Sequence, residues 1–248
     1  MIREIVVLAT KKEVPFLAAS IAYYAFAALI PLLLFAFIVV SAIGGTDLAV
    51  RIVVVTQGFL TPTSQELIRN AITQTEGRTG VIVGAGLVFV WSVFRLLRGL
   101  EIAISMVYET ELSPPVLTQL TTATMLFLAL LIAGTGLISI SVLFAVLPDL
   151  PLIGLASAGA VLVALILVFW PIYYLLPAID HSLVDALPGA IVAAVSWAIL
   201  NTLFGIYAAH ASQYEVYGVL GGVLLLLAWF YISGVIIVFG AVINAVLY

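Results

Sequence analysis

The chain has 248 residues, of which 65% are hydrophobic and only 8% are charged. An ordinary soluble domain has about a quarter of its residues charged, so this composition excludes a soluble globule and predicts a protein whose solvent is lipid. The net charge of −4, with only eight Lys and Arg residues, excludes a nucleic-acid partner, because phosphate binding needs a concentrated basic surface. The chain contains no cysteine, which excludes disulfides, thiolate metal sites and thiol nucleophiles.

Six apolar stretches predict transmembrane helices, since a membrane-crossing helix needs roughly 20 apolar residues. Five of them are long, at about 16–43, 116–147, 152–176, 188–209 and 217–248. The second stretch, about 80–100, is less regular, because the uncharged run between Arg78 and Arg95 reaches only ~24 Å at 1.5 Å per residue. This span must therefore continue past Arg95. We expect one all-α membrane domain over residues 1–248, a polytopic bundle of six helices.

Two amphipathic segments accompany the first span. MIREIVVLATKKEV at the N-terminus places apolar residues at helical spacing among charges, which predicts an interfacial helix. The polar stretch 44–79 has the same period on both sides of Pro62 and predicts a helical hairpin on or near the membrane face. Five Lys and Arg residues fall on the side of the termini and three on the other, which favours N- and C-termini in the cytoplasm of an inner or plasma membrane.

Three charged residues follow one another at the end of the second predicted span. Arg95 and Arg98 either extend from the helix end to the lipid headgroups or face inward among other helices, because a charge at the bilayer centre costs at least ~2.5 kcal/mol. Glu101 stands three residues after Arg98, within reach on one helix face. The interfacial alternative, continuing into an amphipathic stretch at 102–108, is favoured, and a buried functional charge remains open.

Polar and helix-breaking residues inside spans are the other candidates for substrate binding or gating. Asn201 and Asn244 are expected to form interhelical hydrogen bonds that fix packing, with a substrate contact as the alternative. Tyr23, Tyr24 and Pro31 interrupt the first span, where a proline kink can border a cavity. The fifth span is expected to begin with Asp185 as its N-cap, just before Pro188.

Catalytic residues are not predicted. The two histidines, His181 and His210, are isolated from any cluster with metal-ligand spacing, so neither a metal nor another cofactor is expected. Asp180, His181 and Asp185 form a small acidic patch that is more typical of a solvated turn than of an acid–base pair. The sequence also has no Gly-rich phosphate loop and no nucleophile elbow.

Four segments in order resemble the YihY/BrkB family of integral membrane proteins. They are LAASIAYYAFAALIPLLLF (17–35), WSVFRLLRGLEIAIS (91–105), YYLLPAIDHSLVDALPGAIVAAVSWAILNTLFGIY (173–207) and YGVLGGVLLLLAWFYISGVIIVFGAVINA (217–245). The chain departs from the family pattern at Val242, where an acid is common, and at Ala178–His181, where Asn and basic residues are common. The resemblance implies a six-span inner-membrane protein with cytoplasmic termini.

Function is expected to involve membrane lipids. A transporter or translocator of a lipid or amphipathic substrate fits the polar residues within spans. The alternative is a structural or assembly protein of the cell envelope, with a second copy of the chain or another envelope protein as its partner on the small-residue faces of the fourth and fifth spans. The family that the chain resembles also has an older ribonuclease label. The acidic composition of this chain does not support that activity, so we expect no enzyme.

Overall fold

The computed structural model of the chain describes residues 2–56, 79–110, 116–146, 153–211 and 218–248. The described residues form seven helices and no strand. The helices are α1 (Ile2–Lys11), α2 (Val14–Thr56), α3 (Thr79–Tyr108), α4 (Val116–Val146), α5 (Ile153–Leu175), α6 (Leu187–Ala211) and α7 (Gly218–Leu247). The predicted all-α class is therefore confirmed. Most of the predicted hairpin, residues 57–78, lies outside the described residues.

Five of these helices contain a segment long and apolar enough to cross a membrane. The segments are Val14–Leu33, Leu117–Ile140, Ala156–Leu175, Leu187–Tyr207 and Gly221–Leu247. The second predicted span, in α3, is not among them. The described residues thus support five of the six predicted spans. None of the five segments contains a charged residue, whereas α3 carries Arg95, Arg98 and Glu101 in its interior.

Helix α2 is longer than the first predicted span. The span was predicted at about 16–43 and the hairpin at 44–79, and α2 runs through this boundary to Thr56. A glycine costs only about 1 kcal/mol in a helix interior, so Gly44 and Gly45 do not by themselves end the helix. Pro31 also lies inside α2 without ending it, as membrane helices allow.

The larger of two compact units comprises residues 1–23 and 97–248. In it α4 packs on α5, α5 on α6, α6 on α7, and α1 on α7. Small residues make the α6–α7 contact close: a side-chain carbon at Gly189 would overlap the backbone oxygen of Gly240. Ala190 and Ala194, which the sequence offered to a partner helix, are fully buried by the chain itself.

The start of α2 is held against α7 in the same unit. A side-chain carbon at Gly234 would stand 2.7 Å from the carbonyl oxygen of Ala18, so glycine is required for this approach. Ala18 is completely buried. The larger unit therefore joins the N-terminal part of the chain directly to its last helix.

The smaller unit comprises residues 24–96. Its described contacts join α2 to α3 through aromatic rings. Phe35 and Phe89 stack with their centroids 4.8 Å apart and their planes 4° from parallel. Gly86, one turn from Phe89 along α3, leaves room for the Phe35 ring. Apolar and aromatic packing thus holds these two helices together.

Helix α3 ends in a tight turn that forms ion pairs with the residues at the end of α1. The Thr110 amide donates to the Ser105 carbonyl at 3.1 Å, and Glu109 has a left-handed φ of 58°, which together form a Schellman C-cap. The Glu109 carboxylate accepts from Lys12 Nζ at 2.7 Å and from Lys11 Nζ at 3.2 Å. These two lysines lower the pKa of Glu109. The end of α3 therefore lies beside the junction of α1 and α2.

Candidate functional site

Asn244 is a buried polar side chain at the end of α7, with 3% of its surface exposed. Its Oδ1 accepts from the Gly189 amide at 2.6 Å, and its Nδ2 donates to the Ala186 carbonyl at 3.2 Å. Gly189 is in the first turn of α6, where amides have no partner within the helix. Asn244 therefore caps α6 from another helix, using both ends of its amide.

Asp185 does not cap α6, contrary to the sequence prediction. Its Oδ2 instead accepts from the amide and the hydroxyl of Ser182, both at 2.8 Å, which closes the turn before the helix. These hydrogen bonds lower the pKa of Asp185. The cap at Asn244 was missed because it depends on a residue 55 positions away.

Two tyrosine hydroxyls extend this buried polar cluster. The Tyr108 hydroxyl lies beside the side chain of Asn244. The Tyr173 hydroxyl, on a completely buried ring, donates to the Ile237 carbonyl at 2.9 Å. Tyr173 fits because position 240 is a glycine; a side-chain carbon there would overlap its hydroxyl. The ends of α3, α5 and α7 and the start of α6 therefore meet at one end of the larger unit.

Asn201 lies in the middle of α6 and is exposed. Its Nδ2 donates to the Trp197 carbonyl at 3.0 Å, within the same helix. The interhelical hydrogen bond expected from the sequence is therefore replaced by one within α6. Asn201 and Asn244, which look alike in the sequence, have different surroundings in the fold.

Arg98 and Glu101 form an ion pair on α3, with 2.8 Å between Nη1 and Oε2. The pair is mostly covered, since 26% of the arginine side chain and 14% of the glutamate side chain are exposed. Arg98 lies ten residues before the end of α3 at Tyr108, or about 15 Å along the helix. It is therefore not at a helix end.

The stretch after the pair has one buried face. Ala103, Ile104 and Val107 are buried in the larger unit, and Ser105 is buried with them, whereas Met106 is 44% exposed. Residues 102–108 are therefore amphipathic, as the sequence predicted. The Arg98–Glu101 pair precedes this stretch on α3 and is itself mostly covered.

In the smaller unit, α2 and α3 bring Arg95 to Tyr24. The guanidinium carbon of Arg95 lies 5.9 Å from the centre of the Tyr24 ring, a distance at which a cation is attracted to an aromatic face. Arg95 is itself exposed. Pro31 is half-buried two turns further along α2. Tyr23, in the larger unit, is largely exposed.

A pocket of about 550 Å³ opens at the end of α5. It is lined by Tyr174, Leu175, Ile179, Asp180, His181, Ser182, Asp185 and Tyr248. The sequence predicted a solvated turn at 180–185, and the structure makes this turn one wall of a cavity. The pocket was missed because Tyr248, which donates to the Asp180 carbonyl at 2.9 Å, comes from the far end of the sequence. No group of three His, Cys, Asp or Glu side chains suited to a metal occurs among the described residues.

The helical bundle, its five apolar spans and the ion pair within α3 define a polytopic membrane protein. The sequence matches the family described as "Virulence factor BrkB" over residues 6–248. The chain therefore belongs to the BrkB family, as its four segments suggested.

Relatives agree with the membrane assignment. The chain is 27% identical over 243 residues to a UPF0761 membrane protein of Pseudoalteromonas translucida, covering 92% of this chain and 79% of that protein. It is 28% identical over 236 residues to a UPF0761 membrane protein of Halorhodospira halophila, covering 90% of this chain and 52% of that protein. The ribonuclease-like protein YfkH of Bacillus subtilis is 40% identical over 85 residues, which are 34% of this chain and 31% of YfkH. No solved structure matches.

Proposed function

We propose that this BrkB-family protein moves a lipid or another amphipathic substrate across the inner or plasma membrane, with both of its termini in the cytoplasm. The observation that carries the proposal is the Arg98–Glu101 ion pair. It lies about 15 Å along α3 from Tyr108, which is half the ~30 Å thickness of the hydrocarbon layer. The polar end of the helix is marked by Glu109 with its two lysines.

In this proposal α3 crosses the membrane, which puts the pair near the bilayer centre. Charged side chains at such a depth are expensive, and in membrane proteins they typically belong to a pathway for ions or polar groups. A headgroup passing through the bilayer needs a polar partner where no water is available. An anionic headgroup can replace Glu101 beside Arg98, and a cationic headgroup can replace Arg98 beside Glu101. In this proposal the headgroup binds transiently at the ion pair while the lipid crosses the membrane.

The smaller unit offers separate support. Arg95 is exposed on α3 and contacts the face of Tyr24, and it lies in the interior of a long helix and not at its end. An exposed guanidinium is suited to a phosphate or carboxylate group. It therefore favours an amphiphile with an anionic group over an uncharged hydrocarbon.

For a structural or assembly role in the envelope, Ala190 and Ala194 of the fifth predicted span are occupied by the chain's own packing, which leaves the exposed Ala156 and Ala158 of the fourth span as the surface for a partner. We do not extend the ribonuclease-like name of the Bacillus relative to this chain. Eight basic residues in a chain of net charge −4 provide little surface for RNA phosphates.

The test is movement of fluorescent lipids in proteoliposomes. Purified protein is reconstituted with lipids labelled on anionic, zwitterionic or uncharged headgroups, and an impermeant quencher reports how much label changes leaflet. We expect faster movement than in protein-free liposomes, and fastest for an anionic headgroup. Rates equal to those of empty liposomes across the whole panel would remove the basis of the proposal. A dye-leakage control distinguishes lipid movement from membrane damage.

A further inference from the structure

We propose that an exposed face in the second half of α6 binds a second copy of this chain, so that the protein forms a parallel dimer in the membrane. The face, called here the Asn201 face, comprises Ala198, Asn201, Thr202 and Gly205, which lie within about 100° of one another around the helix. Ala198 is half-buried and the other three are exposed. The Asn201 face is separate from the ion pair in α3 and from the small-residue surface of α5, so the proposal does not depend on the transport function.

Asn201 lies at a depth where the membrane offers it no partner. The apolar segment of α6 runs from Leu187 to Tyr207, and Asn201 stands about 9 Å along the helix from the end at Tyr207. Hydrocarbon can neither donate nor accept a hydrogen bond, so the polar groups of an unpaired amide cost free energy at this depth. An exposed asparagine in this position therefore favours a contact with another polar group.

The fold uses only part of the Asn201 amide. Nδ2 donates to the Trp197 carbonyl at 3.0 Å, which is the only hydrogen bond of this side chain to the described part of the protein. A second N–H and the oxygen Oδ1 remain available. The rings of Trp197 and Trp229 fill the space between α6 and α7 beside Asn201, with their centroids 5.2 Å apart. The unused half of the amide therefore needs a partner from outside the chain.

A second copy of the chain matches this amide in both respects. Copies inserted with the same topology are related by a two-fold axis along the membrane normal, which brings a residue near the axis against itself. Two Asn201 amides that meet in this way can exchange two hydrogen bonds, each one donating from Nδ2 and accepting at Oδ1. Asparagine side chains form such bonds between membrane helices. An acyl chain or an apolar helix offers neither the donor nor the acceptor.

The residues around Asn201 permit the close approach that these bonds require. A side-chain carbon at Gly205, one turn after Asn201, would meet no atom of the chain within 4 Å. The Thr202 hydroxyl is already used, since it donates to the Ala198 carbonyl at 2.9 Å. Small residues allow the backbones of two membrane helices to come close together. They make the contact possible, and the Asn201 amide specifies its partner.

Disulfide cross-linking of the full chain in membranes locates the contact, because the natural chain has no cysteine. Gly205→Cys places a thiol on the Asn201 face. Leu203→Cys is the matched control, since Leu203 is 60% exposed and lies about 160° around α6 from Asn201. We expect an oxidant to join two copies through Gly205→Cys and not through Leu203→Cys. Cross-linking through Leu203→Cys alone would place the contact on the other side of the helix and overturn the proposal.

Energy transfer between two labelled copies in proteoliposomes, over a range of protein-to-lipid ratios, measures the affinity. Asn201→Leu should weaken association about tenfold or more, the loss expected for two hydrogen bonds between membrane helices. Leu203→Ala should leave it unchanged. Both side chains are exposed, so in excess detergent, where the chain is monomeric, both variants should unfold like the wild type.

Two results of this measurement would overturn the proposal. The first is a wild type that stays monomeric at every ratio, and the second is an Asn201→Leu variant that associates as strongly as the wild type. Lipid analysis of the purified proteins distinguishes the remaining occupant. A monomeric wild type that retains a lipid which Asn201→Leu loses would assign the Asn201 face to a lipid and not to a second copy.

Discussion

Asn244 in α7 holds the first turn of α6 through its hydrogen bond with the Gly189 amide, at 2.6 Å. The residue before the helix is Ala186, whose side chain cannot cap, and Pro188 has no amide hydrogen to donate. The start of one membrane helix is thus completed by the end of another. This relationship fixes the end of the larger unit where α3, α5, α6 and α7 meet.

Replacing Asn244 with Ala should destabilise the protein by about 1–3 kcal/mol, because the buried Gly189 amide loses its partner. The matched control is Asn201→Ala, which removes an exposed hydrogen bond within one helix and should change stability by less than about 0.5 kcal/mol. Denaturant unfolding in detergent measures both. Equal losses in the two variants would show that Asn244 does not act as a cap.

The contact between α6 and α7 predicts opposite effects for two glycines of the same helix. Gly189→Ala should cost about 1–3 kcal/mol, because the new methyl overlaps the backbone of Gly240, which cannot move aside cheaply. Gly205→Ala meets no atom within 4 Å and should stabilise α6 by up to about 1 kcal/mol. Thermal unfolding of both variants tests the prediction, which fails if Gly189→Ala is the more stable of the two.

The attachment of α1 to the end of α3 should depend on pH. Because Lys12 and Lys11 lower the pKa of Glu109, the ion pair stabilises the folded protein above the ordinary glutamate value of 4.5. This contribution is lost as the pH falls through the lower pKa of the folded state. Hydrogen exchange of residues 2–11 should therefore differ between wild type and Glu109→Gln at pH 7, and the difference should shrink as the pH falls below 4.5. A difference that persists unchanged at low pH would exclude this ion pair as the cause.

Single cysteines can decide whether α3 crosses the membrane, since the natural chain has none. Gly80 is in the first turn of α3, and Thr110 follows its last residue, Tyr108. Val184 is exposed in the turn before α6, at the same end of the larger unit as Thr110. We expect Thr110→Cys and Val184→Cys to react with an impermeant reagent from the cytoplasmic side, and Gly80→Cys from the other. Labelling of Gly80→Cys and Thr110→Cys from one side would contradict a crossing by α3.

Much of the fold follows from local sequence. Apolar runs longer than the bilayer requires predicted five spans, and the spacing of Arg98 and Glu101 predicted the ion pair that the structure contains. Arg95 and Arg98 made the predicted span in α3 ambiguous. Arginines in an apolar stretch are compatible either with a helix end at the headgroups or with a position among other helices. The sequence does not contain the tertiary contacts that cover the Arg98–Glu101 pair.

The parts that sequence did not predict depend on distant residues. Asn244 caps a turn 55 positions earlier, and Tyr248 closes a pocket against Asp180. No local sequence pattern around Asn244 or Tyr248 predicts the residue with which it forms its hydrogen bond. The length of α2, which runs past the predicted boundary at residue 43 to Thr56, was missed for a different reason, since a glycine in a helix interior costs only about 1 kcal/mol.

The most direct test of the account is lipid movement by a variant in which the Arg98–Glu101 pair is absent but the fold is intact. Removing one partner leaves a buried charge, whereas replacing both with apolar residues of similar size is often neutral for stability. The double variant Arg98→Met, Glu101→Met should therefore remain folded by thermal unfolding. We predict that it moves lipid in proteoliposomes at less than about a tenth of the wild-type rate, the loss expected when a polar partner deep in the membrane is removed. A folded double variant that moves lipid at the wild-type rate would contradict the central role of the ion pair.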